Sequence, residues 1–133
     1  MALLVVNNGE SIALQLITNK LATPENLILR LYTNNITPGE TDTAATYTEA
    51  SGNGYAAITL TGASWTVTGT APTSIGYAEQ TFTFTGALGN VYGYYLTRAT
   101  SADLILAERF TGAPFNIANN GDEIKITPTI TAD

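Results

Sequence analysis

The side chains best equipped for chemistry in this chain are carboxylates, tyrosines and one tryptophan. Glu108 and Arg109 are adjacent in the run LILAERF. Alternation along an extended run sends Glu108 to the face of Leu104, Leu106 and Phe110. A carboxylate on such a face must lie near a sheet end or be paired, and Arg109, Arg98 and Glu79 are its candidate partners. The expected role is a structural ion pair. A glycosidase would need a second acid about 5–9.5 Å away across a cleft, and none in this region is placed for it. Tyr92, Tyr94 and Tyr95 cannot all share one face of a strand, and their amphipathic rings suit a core, a subunit interface or sugar stacking. Trp65, the single tryptophan, is expected as a core anchor, with a sugar-stacking platform as the alternative. Glu40 and Asp42 lie in a polar loop from Thr37 to about Thr46, but they fall short of the ligand count of a calcium loop. No catalytic, metal-binding or cofactor-binding residue is expected.

Composition closes most other routes. The 133 residues include no histidine and no cysteine. Their absence removes Ser-His-Asp and Cys-His catalysis, His-ligated metals, thiolate sites and iron–sulfur clusters. The net charge is −6, with Lys20, Arg30, Arg98, Arg109 and Lys125 as the only cations. Duplex nucleic acid commonly engages about 6–10 phosphate contacts, so these scattered cations argue against it as a partner. Charged residues make up 12% of the chain, about half the usual share. Threonine and asparagine take their place, as suits an exposed β surface. The apolar run Leu3–Val6 is too short for a signal h-region, and no stretch approaches the ~18 residues of a membrane helix. A soluble protein is expected.

The elements follow from periodicity. Met1 to Val6 reads as a short strand or arm, and Asn7-Asn8-Gly9 as a turn. Ile12, Leu16 and Ile17, with Ala13 and Leu21, recur at helical spacing and predict a short helix over Glu10 to Asn19. So short a helix needs a docking surface, on its own domain or on a neighbouring subunit. In NLILRLYTNN, Leu27, Leu29 and Leu31 alternate with Ile28, Arg30 and Tyr32, which predicts a strand. Tyr47 to Ala50 extends. Tyr55 to Thr61 and Ser64 to Thr70 are expected to pair as a hairpin through Gly62-Ala63, and Ala71 to Gly76 to connect onward.

The stretch Tyr77 to Phe110 organises the rest as three extended runs. Phe82 and Phe84 face the core, while Leu104 and Leu106 oppose Ile105 and Ala107. A strand apolar on both faces is central or covered. Gly52-Asn53-Gly54 and Asn120-Gly121 are turns. In EIKITPTIT, Ile124, Ile126 and Ile130 share a face, and Pro128 marks an edge or an end. About eight strands with one N-terminal helix predict an all-β antiparallel sandwich or jelly roll, with residues 1–22 as arm and helix and 23–133 as the sandwich.

The series NLILRLYTNNITPGET, TEASGNGYAAITL, YAEQTFTFTG, VYGYYLT, LILAERF and NNGDEIKITPTIT resembles small structural proteins of tailed bacteriophages, from about Gly9 onwards. The shared features are patterns of strand and turn. The resemblance implies a jelly-roll capsid decoration, or cement, protein that assembles as a homotrimer on the capsid exterior. Its implied partner is the major capsid protein, with neither nucleic acid nor membrane. Similar sandwiches occur in tail and fibre proteins, where glycan binding is the alternative role. The resemblance carries over no active-site residue and no cofactor.

Overall fold

A computed structural model describes residues 3–20, 23–69 and 71–132. The chain is an antiparallel all-β sandwich with one short helix. One sheet has five strands: β1 (Leu4–Val5), β9 (Leu104–Arg109), β8 (Gly93–Arg98), β2 (Leu27–Tyr32) and β3 (Ile58–Leu60), in that spatial order. Opposite it lie short ladders. One pairs β4 (Thr66–Thr68), β5 (Thr73–Gly76) and β12 (Thr129–Ala132), with β5 central. Two more pair β6 (Gln80–Thr83) with β11 (Glu123–Ile126), and β7 (Gly89–Val91) with β10 (Phe115–Ile117). Strands β5–β6 and β11–β12 run as one interrupted ribbon. Its registers pass from Ile126↔Gln80 to Thr129↔Gly76, and Tyr77 donates its N–H to the Pro128 carbonyl across the gap. Buried Pro128 separates β11 from β12, where the missing donor was expected to matter.

The five-stranded sheet is covered on both faces. Between the sheets, Leu29, Leu31, Phe82, Phe84, Leu96 and Ile126 form the main core. On the outer face, Tyr32, Tyr47, Tyr95, Leu104 and Val6 form a second cluster. Every residue of β8 is buried, as a strand with apolar groups on both sides requires. The alternation of β2 divides as the sequence predicts, Leu29 and Leu31 inward, Tyr32 outward.

Several local expectations fail for identifiable reasons. Asn7-Asn8-Gly9 opens the helix α1 (Asn7–Ile17) instead of turning ahead of it. Three contacts hold that first turn: Val6 N–H to the Ile105 carbonyl (3.2 Å), Asn7 N–H to the Glu40 carbonyl (2.9 Å), and Asn8 Nδ2 to the Leu104 carbonyl (3.4 Å). Gly9 adds the fourth, because a Cβ there would collide with the Ile105 carbonyl oxygen. Tertiary docking thus overrides the local turn preference. Past the C-cap Thr18 the helix is stopped by Asn19 (φ 54°), with Asn19 N–H on the Leu16 carbonyl and Lys20 N–H on that of Gln15, a Schellman stop. Leu21 lies outside the described residues.

The expected Tyr55–Thr70 hairpin does not form. β3 joins β2, whereas β4 joins β5 in the opposite sheet. A 3₁₀ turn over Gly62–Ser64 carries the chain across, held by Asn26 Oδ1 on Gly62 N–H (3.0 Å) and Tyr77 Oη on Thr61 N–H (3.1 Å). The supposed connector Ala71 to Gly76 contains β5. In β9 a bulge shifts the register between Leu96↔Leu106 and Thr97↔Leu104. The extra residue, Ile105, sends Leu104 to the outer cluster and leaves Leu106 in the main core, so the two do not share the face that strict alternation assigned.

Candidate functional site

The sequence candidates separate on the sheet. Glu108 forms no ion pair with Arg109 or Arg98; it accepts a 2.7 Å hydrogen bond from the Tyr94 hydroxyl directly across the ladder. Successive strand residues point to opposite faces, so Arg109 turns away. Its guanidinium donates to the Ile36 carbonyl (2.9 Å) and lies 5.1 Å from the centre of the Tyr92 ring. Arg98 closes on Glu25 at 2.7 Å, with Asp103 at 3.9 Å. Glu79 is exposed. The expected ion pair is therefore replaced by a partly buried phenol–carboxylate bond.

The tyrosines are consumed by the fold. Tyr94 enters the main core, whereas Tyr95 and Tyr92 pack on the outer cluster. Tyr92 leaves the face of Tyr94 because the chain breaks regular extension between β7 and β8. Rings of Tyr32, Tyr47 and Tyr95 pack within 6.5 Å of one another, and Tyr47 donates to Asp42 Oδ2 at 2.7 Å. Burial pushes the Tyr32 and Tyr95 phenols up to about 12. Burial, and then the hydrogen bonds to Asp42 and Glu108, push Tyr47 and Tyr94 up further. Asp42 also accepts the Gly39 N–H at 2.8 Å. It therefore closes its own loop, and among the described residues no group of three or more acids could hold a metal.

What remains open is an apolar groove beside α1. Its volume is about 440 Å³. Ile12, Ala13 and Leu16 form one wall, and Trp65, Ile75 and Ile130 face them. Helical spacing places Ile12 and Leu16 on one side of α1. The opposite wall follows from register, since Val67↔Ile75 and Ile130↔Ile75 make one cross-strand row. Trp65 is half-buried, packed on the main core and edge-on to Tyr77 at 5.2 Å, and it also lines the groove. Leu16 is an exposed member of this groove, exposed Val67 pairs with its Ile75, and Leu14 and Ile17 are exposed elsewhere on the same helix. Sequence periodicity found Leu16 and Ile17 as part of a helix face that docks on its own domain or on a neighbouring subunit. Nothing in the sequence marked the groove itself, because its walls are 50 to 120 residues apart.

The Glu25–Arg98 pair closes one end of the groove. Glu25 Oε1 also accepts the backbone N–H groups of Ser101 (2.9 Å) and Thr100 (2.6 Å). The Ser101 bond foremost, with Thr100 and Arg98, holds its carboxyl below the usual 4.5. The lowered folded value means that this contribution to stability is present above the unfolded carboxylate range and disappears as pH falls through the folded value. Glu25→Gln is expected to melt below the wild type at neutral pH, with the difference vanishing in strong acid. Paired thermal melts at the two pH values check this; an acid-independent difference would contradict it.

No protein-family model, curated protein or solved structure matches the chain.

Proposed function

We propose that this chain is a structural subunit of a tailed-phage virion: a decoration protein that binds the major capsid protein on the shell exterior as a homotrimer. The observation that carries the reading is the apolar groove beside α1, together with the exposed Leu14 and Ile17 on the same helix. Exposed apolar surface marks contact with another macromolecule more often than chemistry on a small substrate. The polar side chains that could act on a substrate are tied into the fold: Glu108 by Tyr94, Asp42 by Tyr47, and Glu49 by Arg30 and Tyr55. The surplus of negative charge suits an outward surface better than one lining packaged nucleic acid. No described helix is long and apolar enough to cross a membrane.

The reading has a direct test. Light scattering of the purified protein is expected to give three times the 14.0 kDa chain mass. Heads separated from tails are expected to carry the chain in fixed ratio to the shell protein. A stable monomer, absent from purified heads, would sink the proposal.

A further inference from the structure

Three Asn-Gly steps occur in the chain, Asn8-Gly9, Asn53-Gly54 and Asn120-Gly121, and all three asparagines are exposed. A glycine after asparagine leaves its nitrogen unshielded by a side chain, so that nitrogen can approach the asparagine amide carbon. We propose that Asn120 is a site of covalent modification: in the folded protein its side-chain amide is lost to attack by the Gly121 nitrogen, giving aspartate or isoaspartate there well ahead of the other two.

The step needs only water. The Gly121 nitrogen gives up its proton and bonds to Cγ of Asn120, closing a succinimide ring. The Cγ–Nδ2 bond breaks, and ammonia leaves carrying that proton. Water then adds to one of the two ring carbonyls. Breaking the new bond to Cγ yields an aspartate side chain. Breaking the original peptide bond leaves the main chain running through Cγ, as isoaspartate. Nothing is oxidised or reduced.

Geometry orders the three sites. Asn8 lies in the first turn of α1 with its Nδ2 on the Leu104 carbonyl at 3.4 Å, and Gly9 is buried against the Ile105 carbonyl oxygen. Neither can turn without undocking the helix. Asn53 is fixed through side chain and backbone alike. Its Nδ2 donates to the Ala87 carbonyl (2.9 Å), and its own carbonyl accepts the Thr85 N–H (2.9 Å). Its Oδ1 also packs so close to Gly86 that a Cβ there would collide. The Asn120 side chain has no hydrogen-bond partner among the described residues.

At Asn120 the restraint falls on the nitrogen, since Gly121 N–H donates to the Phe84 carbonyl at 2.8 Å. That is one bond in an exposed turn. The turn is closed independently of it, by Asp122 N–H on the Asn119 carbonyl (3.2 Å) and by Asp122 Oδ2 on the N–H groups of Ala118 and Asn119 (both 2.9 Å). The peptide between Asn120 and Gly121 is the central one. It can rotate inside the closed turn, because Gly121, at φ 93°, tolerates either sign of φ. Rotation takes the nitrogen off Phe84 and frees it to react.

The product bears on the core. Isoaspartate lengthens the main chain ahead of Gly121. It thereby pulls at the two bonds that hold the Phe84 backbone, Gly121 N–H to the Phe84 carbonyl and Phe84 N–H to the Asp122 carbonyl (2.9 Å). Either product also sets a new carboxylate close in sequence to Asp122 and Glu123.

The chain, kept folded in mildly alkaline buffer, is expected to gain about 1 Da as each amide becomes a carboxyl. Peptide mapping by mass spectrometry should place that gain at Asn120 roughly tenfold faster than at Asn8 or Asn53, whose local contacts protect them. In guanidinium chloride the three are expected to react at similar rates. Asn120→Gln should stay folded and lose most of the gain, because its longer side chain closes a less favourable ring. Anion exchange separates the aged species by its added charge, and its isoaspartate form is expected to melt below the parent. Loss at Asn53 or Asn8 as fast as at Asn120 in the folded chain overturns the assignment. So does an Asn120 amide that survives in the folded chain while the unfolded chain loses it. An isoaspartate species that melts with the parent overturns the consequence for Phe84.

Discussion

Raising the pH from about 9 to about 12 is expected to unfold the protein in one cooperative step coupled to tyrosine ionisation. Tyr32 and Tyr95 hold their protons to about 12 in the fold, against 10.0 for a free phenol. Tyr47, Tyr55 and Tyr94 are shifted in the same direction, burial being the first cause in each. A raised folded value means that the native state binds more protons than the unfolded chain between the two values. The contribution is complete below the unfolded phenol value and is lost as pH rises through the folded one. A shift of about two units corresponds to roughly 2–3 kcal/mol. Two such groups alone approach the lower end of the ~5–15 kcal/mol net stability of a domain. Phenolate absorbance and far-UV circular dichroism should therefore change together. Phenolate absorbance that rises fully while the sheet signal persists would refute the coupling.

Phe84→Ala is expected to cost about 3–5 kcal/mol, lowering the melting temperature by roughly 10 °C or more. Phe84 is fully buried in the main core. Its N–H and carbonyl are bonded to the Asp122 carbonyl (2.9 Å) and the Gly121 N–H (2.8 Å). The backbone is thus clamped and the site cannot collapse around a smaller side chain, which places the cost toward the upper part of the range. Urea unfolding of the two proteins measures the difference; a loss under about 1 kcal/mol would mean that the core around Phe84 relaxes freely.

These two cases differ in how much the sequence reveals. Phe82 and Phe84 were legible because alternation needs only nearest neighbours, and the same holds for Leu29 and Leu31 in β2. The all-β antiparallel class followed from those patterns repeated along the chain. Pairing was less legible. The Tyr55–Thr70 hairpin looked complete locally, but Asn26 and Tyr77, from distant segments, capture the turn. Leu104 and Leu106 were assigned to one face because a one-residue bulge at Ile105 leaves no compositional mark. Glu108 was expected to choose a guanidinium; the ladder placed Tyr94 opposite it instead. The groove was illegible for a similar reason, since it exists only once α1 and the β4–β5–β12 ladder face each other.

The arrangement of the two sheets also governs when the chain can become a protein at all. β1 lies against β9 about a hundred residues away, β2 against β8 almost seventy away, and β5 against β12 more than fifty away. None of these neighbours is present while the early segments leave a ribosome. The LILRLY run can pair early with nearby β3 on one edge, but its other edge stays open until β8 arrives. Such long closures are slow, on the order of milliseconds to seconds, and waiting strands invite mispairing between nascent copies. The low charge that suits neutral packing in the finished sheet gives this waiting segment little protection, with Arg30 the one charge inside its most β-prone run.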